Sequence, residues 1–321
     1  MKIYGCGGLG LNLASRLESL ADSNKGILLD SFDMSYLDTS DSNIGHNKIN
    51  KDKLYLIENA NGSGKNRAEN YGPIKEQIKR IVLEHKPQEF NVVIHSLSGG
   101  SGSVIAPILV GELMDQDKDV VVVAVGSADS TIEISNAIKT IKSYAGISNL
   151  KKKPIAMIYY ENGTMGTRSE IDSRIESSVV LLSAFLTNSN HELDFTDIHN
   201  FLNYQKVTEH ESGLVSAQFF RSKIEPDHNC TPISCVTLAK SGDDTSTGTM
   251  VDYQAVGFIN EENSATAIME TLPNHFTLVT GCIPKILSNL EKKLKDISDI
   301  RAASLVKKVV STDGDSDGMV I

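Results

Sequence analysis

The sequence predicts an α/β protein. It has an N-terminal doubly wound parallel sheet, a long central helix, a smaller C-terminal α/β unit, a long final helix and an acidic tail. Three observations carry this. Short apolar runs alternate with helical periods through the first half, which is the rhythm of βαβ units. Loops of small residues join strand to helix at 5–10 and again at 98–103. After residue 187 the alternation changes.

Taken in order, Lys2 to Tyr4 is a short strand that feeds Gly5-Cys-Gly-Gly-Leu-Gly10. The segment 11–20 is then helical, with Leu13, Leu17 and Leu20 on one face. Gly26-Ile-Leu-Leu-Asp30 reads as the next strand. Ile74, Ile78, Ile81 and Val82 make 71–84 a helix. Segments 90–95 and 119–125 are nearly all apolar, as strands buried on both faces are. Helices over 105–114 and 132–144 and a strand over 154–160 complete the first unit, with its ligand expected at the carboxyl ends of the strands. The segment 168–187 is one helix with a stripe of Ile171, Ile175, Val179, Leu182 and Phe185. Strands are expected at 233–239, 251–259 and 275–281, with a helix near 265–272. The segment 283–309 is the longest helix, about 40 Å at 1.5 Å per residue. Its apolar positions Ile286, Leu290, Leu294, Ile297 and Leu305 are separated by lysines. The expected units are 1–167, the connecting helix 168–190, 191–282, the final helix 283–310, and a tail, 311–321, too polar to fold alone.

A chain of 321 residues suits two domains. The net charge of −10 argues against nonspecific nucleic-acid binding, so no direct nucleic-acid partner is expected. No apolar run approaches the roughly 18–20 residues of a membrane span. The chain starts directly on a strand, so no signal peptide is expected. Cys6, Cys230, Cys235 and Cys282 lack metal or redox spacing and read as reduced thiols.

The chemistry lies in the loops. Ser96-Leu-Ser-Gly-Gly-Ser-Gly-Ser-Val-Ile-Ala-Pro107 follows an apolar strand and opens a helix. Small residues at such a turn let backbone N–H groups approach an anion, and phosphate is the obvious guest. Gly5-Cys-Gly7-Gly-Leu-Gly10 has the spacing Gly-x-Gly-x-x-Gly, with Asp30 twenty residues on. That also fits a dinucleotide site, so a nicotinamide-dependent oxidoreductase is the rival reading, beside a mononucleotide site and a merely tight turn. A third loop, Asn59-Ala-Asn-Gly-Ser-Gly-Lys-Asn66, is one residue away from a P-loop at each end. Leu193-Asp-Phe-Thr-Asp-Ile198 follows the long helix. Its Asp194 and Asp197 read as capping residues or as a pair that polarises water. The helix would carry them about 30 Å from the nucleotide loops, so they suit a neighbouring subunit's nucleotide better than their own.

Together these segments resemble the tubulin/FtsZ superfamily. Gly7-Gly-Leu-Gly-Leu-Asn12 is similar to its Gly-Gly-Gly-Gly-x-Asn segment. Ser98 to Pro107 is similar to its signature loop, with Ser98 and Val104 in place of two glycines. Leu193 to Ile198 resembles its synergy loop. The short signature loop and the ending Asp-Ser-Asp-Gly-Met-Val-Ile321 resemble the bacteriophage branch. The resemblance implies a GTPase that binds GTP/GDP with Mg²⁺ and polymerises head-to-tail with itself. By position, Gly7, Gly8 and Gly10 would line the α- and β-phosphates, and Asn12 would approach the guanine. Ser98, Gly99, Gly100, Ser101, Gly102 and Ser103 would bind the β- and γ-phosphates, while Gly64, Lys65 and Asn66 would sense the γ-phosphate. Asp30 would stand at a second phosphate-side loop, Ser130 and Glu133 at the ribose, and Asp172 at the guanine edge. Asp194 and Asp197 would orient the water that attacks a neighbour's nucleotide. In the tail, Asp313, Asp315 and Asp317 with Met319, Val320 and Ile321 would dock on the next subunit, where Lys292, Lys293, Lys295, Lys307 and Lys308 are offered. Filaments that position phage DNA or capsid cargo in the cytoplasm of an infected bacterium are the implied role.

Overall fold

The structure, a computed structural model, describes residues 1–23, 32–45, 49–60, 64–186, 190–225, 229–259 and 275–312. The expected strand 26–30, the helix near 265–272, Asp30, and the tail residues Asp313, Asp315, Asp317, Met319, Val320 and Ile321 lie outside the described residues.

The first half alternates strand and helix: β1 (Lys2–Cys6), α1 (Gly7–Ser23), β2 (Asp33–Asp38), β3 (Leu54–Leu56), α2 (Arg67–Glu84), β4 (Phe90–Ser96), α3 (Gly102–Asp115), β5 (Asp119–Gly126), α4 (Thr131–Lys151) and β6 (Ile155–Glu161). The long helix α5 (Arg168–Leu186) follows, then β7 (Asn190–His191) and α6 (Phe195–Leu202). The chain continues through β8 (Leu214–Phe220), β9 (Thr231–Ala239), β10 (Tyr253–Ile259), β11 (His275–Thr280) and the final helix α7 (Cys282–Thr312).

These strands form one sheet in the order β3-β2-β1-β4-β5-β6-β8-β11-β9-β10-β7. From β3 to β8 every pair is parallel. The strand β11 then runs antiparallel to both β8 and β9. Because β8 lies beside β6, the strands of the second half continue the first sheet. The chain reverses its direction of winding at β1, whose neighbours are β2 and β4. Such a switch point opens a crevice at the carboxyl ends of the strands.

Side chains alternate across the sheet, so each face has its own core. Val92 and Ile94 of β4 join the core under α1 and α5, whereas Val93 joins the core under α2, α3 and α4. The expected stripe of α5, Ile171, Ile175, Val179, Leu182 and Phe185, is buried throughout. Leu290 of α7 is buried, and Ile286, Leu294 and Ile297 pack against the second core.

Sequence periodicity missed β2, β3, β7 and β8. The strand β2 reads Asp-Met-Ser-Tyr-Leu-Asp, yet Ser35 and Asp38 are buried with the apolar residues. Ser35 is held by His85 Nδ1 at 3.0 Å. Polar residues that are satisfied inside break the apolar run by which a buried strand is read. The cysteine expectation is corrected as well. Cys230 and Cys282 form a disulfide with Cα atoms 5.5 Å apart, joining the start of α7 to the segment before β9. Cys6 and Cys235 are free and buried. Among the described residues no helix is long and apolar enough to cross a membrane.

Candidate nucleotide-binding site

The two glycine loops meet backbone to backbone at the switch point. Gly7 takes a left-handed φ of 69°, and a Cβ there would stand 2.7 Å from the Gly102 nitrogen. A Cβ on Gly102 would stand 2.5 Å from the Cys6 carbonyl oxygen. These positions are glycine because two main chains occupy the space of a side chain. Gly10 has a different task. Its Cβ would lie 2.3 Å from the Ile94 oxygen, so it lets α1 pack on β4 rather than lining a ligand.

Around this contact lies a cavity of about 490 Å³. Its walls include Gly7 and Gly8, Gly99 to Gly102, and Gly64 and Lys65, so three expected loops converge. Asp38, Ser40, Ser42 and Asn43, which sequence reasoning did not single out, also line it. The helix α3 begins in the cavity wall with no side-chain cap on its first N–H groups. Uncapped helix N-termini present donors and a positive dipole end, the chemistry of a phosphate site. Ser101 Oγ and Thr39 Oγ1 share a 2.6 Å hydrogen bond that ties the signature loop to β2. Ser103 Oγ donates to the Gly99 carbonyl at 2.5 Å, which holds the loop in its turn.

Asp38 is the carboxylate of the cavity and is almost fully buried. Burial raises its pKa, against donation from Asn43 Nδ2 at 2.9 Å, the Thr39 N–H at 2.8 Å and Ser101. A buried carboxylate with this residual desolvation cost is suited to a cation partner.

Other expected residues stand outside this lining. Ser98 Oγ donates to the Ser127 carbonyl at 3.0 Å and accepts from its N–H at 2.9 Å, bracing the signature loop. Asn66 caps α2 through the Ala68 N–H. Ser130 caps α4 through the Glu133 N–H. Glu133 is engaged by Lys65 Nζ at 2.7 Å. Burial works to raise its pKa, but Lys65, Ser127 and Ser130 outweigh it and leave the pKa lowered. Asp172 is paired with Arg16 Nη1 at 3.2 Å. Arg16 is one turn beyond Asn12 on α1, so that side of α1 faces the start of α5.

Asp194 and Asp197 are far from the cavity. They form a reciprocal capping box at the start of α6: Asp194 Oδ1 accepts from the Thr196 and Asp197 N–H groups, and Asp197 Oδ2 accepts from the Asp194 N–H. These backbone donors hold the Asp194 pKa low. The helix α6 is pinned from below, His199 Nδ1 and Asn203 Nδ2 holding the Asp119 carboxylate at 3.0 and 2.8 Å. Phe201 packs against Phe276 with ring centres 5.0 Å apart and planes tilted by 51°. Asp119 opens β5, whereas the phosphate loops follow the carboxyl ends of β1 and β4. The length of β5, roughly 26 Å at 3.3 Å per residue, therefore separates the aspartates from the phosphate loops of the same subunit.

The GTPase domain of the Tubulin/FtsZ family matches residues 1–170. The chain belongs to the tubulin/FtsZ family. It is a GTPase that binds GTP and GDP, and the dinucleotide reading of Gly5 to Gly10 has no support beside this match. Among curated relatives, the phage tubulin-like protein of Pseudomonas phage phiKZ is 26% identical over 97% of this chain and 93% of its own. That of Pseudomonas phage PhiPA3 is 24% identical over 92% of this chain and 90% of its own. Among solved structures, the protofilament of TubZ from bacteriophage PhiKZ superposes with a TM-score of 0.81 at 27% identity, covering 94% of this chain and 91% of that one. The phage tubulin PhuZ bound to GDP shares the fold, with a TM-score of 0.78 at 21% identity, covering 99% and 94%. The relatives that this tubulin/FtsZ chain resembles along most of its length are thus phage tubulin-like proteins, one of them solved as a protofilament.

Proposed function

We propose that this chain forms dynamic head-to-tail filaments in the cytoplasm of an infected bacterium, where they position phage DNA or capsids, and that each GTP is hydrolysed across a subunit contact. The observation that carries this is the opposed placement of the two half-sites. Three phosphate-type loops converge at the carboxyl ends of the strands, while Asp194 and Asp197 project at the other end. One subunit alone cannot bring them together; stacked copies can.

In this reading Gly7, Gly8 and the N–H groups of Gly99 to Ser103 hold the phosphates. Gly64 to Asn66 face the γ-phosphate. Asn12 and Asp172, on facing helices, read the guanine. Ser130 and Glu133 bound the ribose side. Asp38, the buried carboxylate among the loops, takes the place expected of Asp30 and would hold Mg²⁺, whose chemistry is to neutralise charge on the β- and γ-phosphates. The neighbour's Asp194 and Asp197 orient the attacking water. Phe195, 61% exposed between them, is the apolar contact that seats them on the next subunit.

The tail reading gains a receptor. A groove of about 740 Å³ runs between α2, α3 and α4, floored by Ile78, Pro107 and Ile147 and rimmed by Lys75, Lys79 and Lys139. Glu112 and Asp115 also line the groove, Asp115 paired with Lys151, but its cations outnumber them, and with the apolar floor they complement Met319-Val-Ile321 preceded by Asp313, Asp315 and Asp317.

The test is right-angle light scattering of the purified chain on adding GTP with Mg²⁺, with phosphate release followed in parallel. Scattering should rise and then decay as GTP is consumed, and removing 311–321 should raise the critical concentration sharply. No scattering response to GTP would overturn the filament reading. An unchanged critical concentration would overturn the tail contact.

A further inference from the structure

The signature loop leaves the sheet at Ser96, so its carbonyl groups have no strand partner and need other donors. The helix α4 supplies them from one buried polar stripe. Asn136, Thr140 and Tyr144 recur at the four-residue spacing that places side chains one above another on a helix. Tyr144 Oη bonds His95 Nε2 at 2.8 Å, Thr140 Oγ1 donates to the Leu97 carbonyl at 3.0 Å, and Asn136 Nδ2 donates to the Ser98 carbonyl at 3.3 Å. The stripe thus follows the chain from the end of β4 into the loop.

Asn136 does one thing more. The same Nδ2 donates to the Lys65 carbonyl at 3.0 Å, so one buried amide joins the loop of residues 64–66 to the signature loop. The tie is returned. Arg67, two residues on, sends Nη1 to the Asn136 carbonyl and Nη2 to the Ser103 carbonyl, each at 3.2 Å. Lys65 Nζ to Glu133 adds a third link to α4. Residues 64–67 are therefore held from both sides, with Gly64 and Lys65 at φ of 46° and 67°.

We propose that the Asn136–Arg67 clasp positions residues 64–66 against the signature loop and thereby sets the preference for GTP over GDP. The inference rests on the reading that residues 64–66 face the γ-phosphate. Asn136 and Arg67 act through the loops and need not touch the nucleotide. A clasp that only held the fold would affect GDP and GTP alike, because both carry the α- and β-phosphates. A clasp that sets the γ-phosphate wall affects GTP alone.

The experiment titrates fluorescent GDP and a fluorescent, slowly hydrolysed GTP analogue into the full chain, below the concentration of assembly. Asn136→Ala should weaken the GTP analogue about tenfold, the scale of losing a buried hydrogen-bond partner, and leave GDP within about twofold. Tyr144→Phe, which removes the bond to His95 Nε2 and leaves the clasp's own hydrogen bonds in place, should leave the ratio of the two affinities unchanged. Gly64→Val, strained at its left-handed φ, reports on the loop directly and should lower the ratio. If Asn136→Ala does not fold, judged by its melting curve, Arg67→Lys keeps the charge, loses the forked contact and must shift the ratio in the same direction. A ratio that falls with Gly64→Val but not with the clasp variants overturns the clasp and spares the loop reading. A ratio unmoved by every variant overturns both.

Discussion

The interlock of the two glycine loops makes Gly102→Ala the sharpest structural prediction. The new methyl carbon would lie 2.5 Å from the Cys6 carbonyl oxygen and 3.5 Å from the His95 Cβ. Gly102 is not in a left-handed conformation, so the cost comes from the contact and not from backbone preference. An ordinary contact begins at 3.4 Å, a further separation of roughly 0.9 Å, and the obstacle is main chain at the β1–α1 turn, which cannot rotate away as a side chain would. Overpacking of this kind costs about 1–3 kcal/mol. If the loops relax by moving apart, that energy appears as lost affinity, about 5- to 150-fold. In the proposed site both loops would hold phosphates common to GDP and GTP, so the two nucleotides should weaken together. Equilibrium titration with fluorescent GDP measures this. Gly99→Ala is the internal comparison, since its Cβ meets nothing nearer than Ser96 Cβ at 3.7 Å. It should melt at the temperature of the unaltered protein. Wild-type affinity in Gly102→Ala for both nucleotides would refute the interlock.

Three further outcomes are expected. Asn caps a helix about as well as Asp, so Asp194→Asn and Asp197→Asn should keep their melting temperatures and GTP binding but lose about 10²–10⁴-fold in turnover, measured by phosphate release from polymer. Equal losses of stability and turnover would make the pair caps alone. Chelating Mg²⁺ should abolish hydrolysis, and Asp38→Asn should raise the Mg²⁺ concentration needed for half-maximal turnover. An unshifted Mg²⁺ titration would remove Asp38 from that role. His95 is fully buried, and burial lowers its pKa to about 3. Between that value and 6.5 the unfolded chain binds the proton and the native one does not, so this contribution to stability is intact near neutral pH and is lost as pH falls. The loss at pH 5 is about 2 kcal/mol. Urea unfolding of His95→Gln should show a smaller drop between pH 7 and pH 5 than the unaltered protein, and equal drops would contradict the assignment.

What the sequence could and could not show follows from how each feature is encoded. The glycine loops were legible because a close approach of two backbones leaves only one residue type. The stripe of α5 was legible because a helix between two packed layers must repeat its apolar positions. Asp38 was not, because β2 buries Ser35 and Asp38 among apolar residues, and the more apolar run at 26–30 drew the strand assignment. The clasp was not legible either. Asn136 and Thr140 read as ordinary polar residues on a helix, and only the carbonyls of Leu97, Ser98 and Lys65 give them a task. Such partners are remote in sequence and leave no period.

The capping box at the start of α6 carries a broader consequence. Taken in one subunit, Asp194 and Asp197 have a complete local explanation, since each satisfies backbone N–H groups of α6. That explanation accounts for the residue types but not for the setting. A cap needs no exposed Phe195 between its two members, and it needs no tie from His199 and Asn203 to Asp119 at the foot of the GTPase sheet. The tie fixes α6 to β5, the neighbour of β4 whose far end leads to Ser127, the brace of the signature loop, so the aspartates and the nucleotide cavity belong to one sheet, at its opposite ends. A stacked neighbour would then meet the nucleotide with both carboxylates already oriented, and with the Asp194 pKa held low by its backbone donors. Under the proposed mechanism, preorganisation of this kind would let assembly itself complete the site, with no rearrangement of α6 required. Replacing His199 by Ala should therefore slow turnover in polymer while leaving nucleotide binding by the single subunit unchanged, and full turnover in that variant would show that α6 needs no such anchor.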